Sequence, residues 1–600
     1  MSPLLVFERG VLAYSPIPML VEGMLFFERE VDGRKYRVAA QSVWDPQKKQ
    51  PVSRQVVLGP ADPAPVADLA RTRTVGTRRL GDVGALGWVA EELNVVRLID
   101  EVCGGRDQGL KKGPSVGELV LAVAVQRACA PGSKRALADF LGSSVARLSC
   151  LPVPSFTGQA FHRAAADITE EQIQRAQIAI AQAAVERFQL STDVLAFDST
   201  NFDTYIATTT KGKLAKRGHA KSKRRDLRVV GLGVLVSESG HVPLLHRTYP
   251  GNSSDQAVLS SCFSGLAELH NKLNAAEKKD GRSQRTVVRD GGFWSEQLEL
   301  ELEQAGYRSL ISLPLSHTAA KGALEYAAGH GRMKPLRGAL KDVRAARLEA
   351  PVGDLKRTLV VVQSQELLRG QKRGIAVALR KAKVELRKLA RRAKAGKIER
   401  SALETRVQKT LAREHLSEFV VTRITGEKHL RLHWKVDKAQ RRVLERTRLG
   451  RRVLCTDRAT WSTERIVNGF RGQWNVEEVF RRAKKGGLVP WGPSFQWADS
   501  SLHLHTFATV LGLTLVALAK QAHGSKKSAH AFIKEMAEIK ATLVRTSTGA
   551  AGRRPTVLLA PELSPSQRRA VETFKLDRWM PSISSTMTPP TAHQSEIHLH

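Results

Sequence analysis

Asp198 closes the apolar run VLAFD and Asp290 closes TVVRD, so each carboxylate is expected at the C-terminal end of a buried strand. A carboxylate there costs desolvation unless it is paired or bound to a metal. Two of them on neighbouring strands point into one space. A third oxygen donor comes from FRGQWNVEEVFRRAKKG, residues 470–486. Coiled as a helix, this segment puts Val476, Phe480 and Ala483 on one face and Glu477, Arg481 and Lys484 on another. Each feature alone has a plainer reading: aspartates cap turns, and Glu–Arg–Lys ladders cover solvated faces. Together, Asp198, Asp290 and Glu477 are three hard oxygen donors suited to two Mg²⁺ ions about 3.5–4 Å apart, with Mn²⁺ able to substitute. Such a pair activates a water or a 3′-hydroxyl and stabilises the leaving oxygen of a phosphoryl transfer.

The elements that must position these groups are legible from hydrophobic period. Between 191 and 315 the order reads strand (DVLAFDST), strand (LRVVGLGVLVSES), strand (HVPLLHRTY), helix from about Asp255, strand (RTVVRD), helix (SEQLELELEQAG), strand (RSLISLP). Three meandering strands followed by helix-linked ones fit an α/β, ribonuclease H-like mixed sheet. A Rossmann start alternates strand and helix from the outset. Upstream, 24–59 reads as a small β unit around an Asp32-Gly33 turn, and 86–190 as helices. Downstream, 316–455 reads as a β-rich insertion with a basic helical hairpin near 370–415. Its Leu379, Ala382, Leu386, Leu389 and Ala393 step as a coiled-coil seam. Fifteen Lys/Arg against three Glu between Gly370 and Arg413 fit a solvated charged hairpin, and the one-sided charge argues for phosphate contact as well. The rest reads as helical to about 545, and the tail from 580 as disordered. The expected division is a β-rich unit 1–85, a helical DNA-binding or accessory region 86–190, catalytic core 191–315 and 456–545, the insertion 316–455, and a tail 546–600.

Composition bounds the function. With 95 Lys and Arg against 58 Asp and Glu, the net charge of +37 calls for a polyanionic partner, of which nucleic acid is the commonest. The five cysteines, at 103, 129, 150, 262 and 455, have neither disulfide-framework nor zinc-ligand spacing. The start MSPLLVFERG has no basic region leading into an apolar run, so the expected location is the cytoplasm, at the nucleoid. The 14-residue apolar run Thr506 to Ala519 is short for a membrane span and reads as a buried helix. No G-x-x-x-x-G-K-[ST] supports an ATP-driven mechanism. Gly231-x-Gly233 reads as a tight strand position, and His503 and His505 as structural or interfacial.

The set of motifs resembles DDE-type bacterial insertion-sequence transposases, in the IS-four-like superfamily that carries a Tyr-x2-Arg-x3-Glu-x6-Lys signature. Here that element stands as Phe470-x2-Gln473-x3-Glu477-x6-Lys484, which singles out Glu477 over the adjacent Glu478. VLAFDSTNFD and VVRDGGFWS carry the two aspartates, and GHAKSKRRDLRVVGLGVLV, HVPLLHRTYPGNSSD, APGSKRALADFL and VLCTDRATWSTERIVNGFRGQW are similar to the group. The likeness spans roughly 24–525. It implies metal-dependent cleavage at element ends and strand transfer into target DNA. It also implies terminal inverted repeats and target DNA as partners, and a dimer or higher oligomer in the DNA complex. Phe470, Gln473, Trp474, Arg481 and Lys484 are implied to touch DNA, Trp474 by stacking on a base. Phe470 and Gln473 stand where the family has tyrosine and arginine, so two phosphate donors are lost. The alternatives are a transposase-derived metal-dependent nuclease and a non-catalytic DNA-binding protein.

Overall fold

The computed structural model describes residues 25–31, 33–45, 50–61, 72–103, 113–149, 151, 153–207, 209–276, 285–329, 331–427, 429–546, 556–559 and 562–579. The tail from 580, Cys150 and Asp32 lie outside these residues. The chain divides into two compact units, Met1–Ser283 with Trp474–His600, and Gln284–Gln473.

In the first unit, β1 (Leu25–Val31), β2 (Arg34–Asp45) and β3 (Gln50–Pro60) form an antiparallel sheet. Gly33, at φ +70, turns the chain between Val31 and Arg34. β4 (Thr72–Arg79) pairs with a strand at Lys540–Thr546. The helical reading to about 545 is corrected there: the helix ends at Glu538 and a strand follows. The helices at Val116–Cys129 and Glu170–Phe188 open on capping boxes, Ser115 with Glu118 and Thr169 with Gln172. Against them packs Asp499–His523. Among the described residues it alone is long and apolar enough to cross a membrane, and 94% of its most apolar window is buried in the protein.

β5 (Val194–Thr204), β6 (Arg228–Ser237) and β7 (Pro243–Pro250) then form the antiparallel meander read from the sequence. Gly231 is required in β6 because a Cβ there would stand 2.0 Å from the Tyr249 ring. The helix expected from Asp255 is two helices, Asp255–Ser260 and Phe263–Ala276, which bury Leu259, Leu266 and Leu273.

Two histidines in this unit are buried where neither can hold a charge. Burial pushes His246 from 6.5 down to about 3, with His503 and Arg247 adding to the shift. Burial, Lys134 and Arg127 hold His505 well below the usual range, its Nε2 2.8 Å from the Trp491 carbonyl and its Nδ1 3.1 Å from Lys134 Nζ. Since each folded pKa lies below the unfolded one, the unfolded chain takes up protons first as pH falls. The histidines' contribution to stability is therefore full above about pH 6.5 and drops below it by about 1.4 kcal/mol per pH unit per histidine, for His246 down to about pH 3. Urea midpoints at pH 7 and pH 5 check this; an unmoved midpoint contradicts it.

In the second unit, β8 (Thr286–Arg289), β9 (Arg308–Leu313), β10 (Lys334–Pro335), β11 (Val343–Val352), β12 (Leu355–Ser364) and β15 (Arg451–Thr456) lie in the order β10-β11-β12-β15-β9-β8. The sheet is mixed: β8 runs parallel to β9 and the other pairs are antiparallel. β13 (Val420–Thr425) and β14 (Arg431–Val436) form a hairpin of their own. The basic helices run Gln365–Lys394 and Arg400–Leu411. Leu379, Ala382, Leu386, Leu389 and Ala393 are buried as the seam, but in one core with Leu403, Val407, Leu411, Val420, Leu432 and Leu444. The seam is thus covered by the β13–β14 hairpin as well as by the second helix.

Candidate functional site

β5 continues past Asp198 to Thr204, which corrects the expectation that Asp198 ends its strand. Ser199, Thr200, Asn201 and Phe202 keep pairing with Gly233, Leu232, Gly231 and Val230, so the polar residues prolong the ladder rather than break it. Asp198 is half-buried opposite Val234, and one of its oxygens accepts from the Ser199 N–H at 2.7 Å. Ser199 Oγ in turn donates to Asp255 at 2.8 Å, in the first turn of the Asp255–Ser260 helix. The Tyr249 hydroxyl donates to the Thr200 carbonyl at 3.2 Å. Burial pushes that phenol up to about 12, with the Asp255 and Asp198 charges adding to the shift against a lowering contact from Ser199.

The segment 470–486 is not one helix. A helix over Thr463–Arg471 stops at Gly472 and a second runs Trp474–Ala483. The second packs on β5 and β6. Val476, Phe480 and Ala483 are buried as expected, and Glu477, Arg481 and Lys484 are exposed. Asn475 fixes the helix start, its Nδ2 donating to the Glu238 carbonyl at 2.8 Å. At the other end Val489 and Trp491 donate to the carbonyls of Arg482 and Ala483 at 2.9 and 2.8 Å. Glu478 is occupied by Arg482 at 3.1 Å and Arg481 at 2.6 Å, so the neighbour of Glu477 serves as an ion-pair partner.

Lys484 reports how these groups meet. Its pKa is lowered by desolvation first and then by the Lys221 charge, while Asp198 and Glu477 act in the opposite direction. Two carboxylates and two ammonium groups, from a strand, a helix and the β5–β6 loop, therefore share one electrostatic neighbourhood. Lys221 Nζ also donates to the Ser199 carbonyl. The motif reading missed Lys221, although 211–225 holds eight Lys/Arg and no Asp or Glu.

The remaining candidates fall in different places. Asp290, in the second unit, follows β8 directly, is exposed, and makes no side-chain cap to the short helix Gly291–Phe293. Gly291 beside it is obligatory, since a Cβ there would meet the Ser312 carbonyl at 2.5 Å. Phe470 and Gln473 are buried, Phe470 with the Arg452 guanidinium 5.8 Å from its ring centre. Trp474 is 53% exposed and stands edge-on to His241 at 5.3 Å.

Among the described residues no group of three or more His, Cys, Asp or Glu stands ready to hold a metal. The donor chemistry of Asp198 and Glu477 nonetheless fits Mg²⁺, which is commonly held by one or two carboxylates with substrate phosphates completing the shell. The lysines beside them fit the same phosphates.

Along the basic helix, Arg380, Arg387, Arg391 and Lys394 are all exposed. If they touch phosphates, neutralising the four flattens the slope of log affinity against log salt by about 3.6, at roughly 0.9 per contact. Filter binding between 50 and 200 mM salt measures it, and an unchanged slope makes the hairpin purely structural.

No protein-family model matches the chain, and no curated protein does. Among solved structures, the chain is similar to the cryo-EM structure of piggyBac transposase synaptic complex with hairpin DNA. The TM-score is 0.34 and the identity 9%, over 76% of this chain and 78% of that one. The likeness is loose at that score.

Proposed function

We propose that the chain is a DNA transposase of the DDE type, with a ribonuclease H-like core, that cuts element ends and joins them to target DNA. The observation that supports this most is the shared neighbourhood of Asp198, Glu477, Lys484 and Lys221. Asp290 is the third carboxylate of the reading, on the strength of its place directly after β8. Asp198 and Glu477, with Asp290 on this reading, would hold a divalent cation, Mg²⁺ or Mn²⁺, which when bound would supply Lewis-acid chemistry for phosphoryl transfer.

The chain's own groups do the rest. Lys484 and Lys221 neutralise non-bridging phosphate oxygens, and Ser199 keeps Asp198 oriented through its N–H. Trp474 and Arg481, both exposed, bind the DNA end. The excess of 37 positive charges gives sequence-independent grip on the backbone. The partners are the element's inverted repeats and target DNA, the DNA-bound state is a dimer or higher oligomer, and the location is the cytoplasm.

The test is to incubate the chain and Mg²⁺ with DNA carrying the sequences that flank its gene, beside a target plasmid. Nicks at the element ends followed by joined products are expected. Nicks without joining favour the nuclease reading, and binding without nicks the non-catalytic one.

A further inference from the structure

In the first unit, Trp497 is 75% exposed, Phe495 63% and Tyr205 47%. Large aromatics left this open side by side mark a binding surface. Trp491 anchors the start of their segment. That ring is fully buried, stacks on Phe202 at 5.0 Å, and donates from Nε1 to Thr506 Oγ1 at 2.9 Å. Ser494 accepts from the Tyr205 N–H at 3.0 Å, which brings the Tyr205 and Phe495 rings to 5.5 Å at a 30° tilt. Gln496 turns inward, its amide oriented to accept from Lys134 at 2.6 Å. Phe495 and Trp497 alternate with it and face outward.

The neighbouring surface is basic. The Asp499 carboxylate accepts from the Lys213 and Leu214 N–H groups at 2.6 and 3.2 Å, tying the β5–β6 loop to the aromatic segment. Gly212 lies so close that a Cβ there would be 3.7 Å from the Trp497 carbonyl. A groove of about 540 Å³ opens beside it, lined by Thr210, Lys211, Gly212, Lys216, Arg217 and Arg228. Its cationic side chains are Lys211, Lys216, Arg217 and Arg228, and among the described residues no acid lines it.

We infer that Phe495, Trp497 and Tyr205 form a stacking platform for unpaired bases, with the Lys211–Arg217 groove tracking the phosphates of the same single strand. Stacking on π-faces with a cationic groove alongside is the way single strands are held without base readout. Within a duplex every interior base has both faces covered and only the end pairs offer one, so a platform of several rings beside a phosphate groove suits a single strand. The inference rests on the DNA reading above and adds to it a strand-selective site apart from the carboxylates.

The experiment titrates the full chain, in EDTA, with labelled oligo-dT of about 12 nucleotides, within the site sizes such grooves take. A blunt duplex of the same length and heparin run in parallel. Phe495→Ala and Trp497→Ala are each expected to weaken oligo-dT about ten-fold, with duplex and heparin within about two-fold and Phe495→Tyr like wild type. Equal binding of oligo-dT by both alanine variants overturns the inference, as does an equal loss on all three ligands. Nicking in Mg²⁺ is scored separately. Wild type that holds oligo-dT through these rings yet never cuts supports the platform and removes only the transposase reading. Wild type that cuts, with alanine variants unchanged on oligo-dT, removes only the platform.

Discussion

Asp198→Asn and Glu477→Gln are each expected to lower Mg²⁺-dependent nicking by about 10³-fold or more while leaving DNA binding nearly intact. Removing a hard ligand forfeits several kcal/mol of charge stabilisation in the transition state, and each 1.4 kcal/mol is about ten-fold in rate. Binding survives because the Lys and Arg side chains that hold the DNA backbone are untouched by either change. Glu478→Gln is the matched control. Its carboxylate is engaged by Arg482 and Arg481, so its loss is expected to cost stability and spare the chemistry. Gel shifts and nicking rates on one substrate separate the two. Normal nicking by Glu477→Gln, or a dead Glu478→Gln that is still folded, removes the assignment.

Glu299→Ala is expected to destabilise the second unit by about 3–5 kcal/mol, the usual cost of stranding a buried charge. Arg289 and Glu299 are both fully buried and paired, Arg289 also donates to Ser309 Oγ at 2.7 Å, and Arg357 approaches Glu299 at 3.8 Å. Without the carboxylate, Arg289 loses its ion-pair partner in the interior and Arg357 keeps only the charge of Asp457. Arg289 immediately precedes Asp290 and donates to the Phe293 carbonyl at 3.4 Å, so the ion pair also holds the turn that carries the aspartate. Denaturant unfolding measures the loss. Glu299→Gln, which keeps an acceptor, is expected to fall between the two, and an alanine variant as stable as wild type contradicts the account.

What the sequence made legible was local. Between DVLAFDST and RSLISLP the apolar runs and helical periods are clear enough that the strands of 191–315 are legible in order, while the one helix expected from Asp255 hides a break between Ser260 and Phe263. The face of Glu477, Arg481 and Lys484 followed from helical period alone. The misses share a physical cause. Lys540–Thr546 reads as a helix extension because the strand it pairs with, Thr72–Arg79, is far away in sequence. The helix break at Gly472 is hidden because amphipathic spacing continues across it, although a glycine preceding the break was the available sign. Asp198 in mid-strand was hidden because Ser199, Thr200 and Asn201 look like a turn until β6 is there to pair with them. Lys221 belongs to no periodic element, and only the return of the β5–β6 loop brings it to Ser199. Burial of Phe470 and Gln473 is likewise tertiary, and a motif that spaces them beside Glu477 says nothing of it.

The central claim is that the carboxylates of Asp198, Asp290 and Glu477 act through a divalent cation, and the most direct test exchanges one oxygen ligand for sulfur. Asp290→Cys is the position to choose, because Asp290 is exposed and its side chain caps nothing. The measurement is the nicking rate of this variant on end-bearing DNA in Mg²⁺ and in the more thiophilic Mn²⁺, with wild type in both. The account predicts an inactive variant in Mg²⁺ that recovers cleavage in Mn²⁺. Cleavage by Asp290→Cys at the wild-type rate in Mg²⁺ contradicts it.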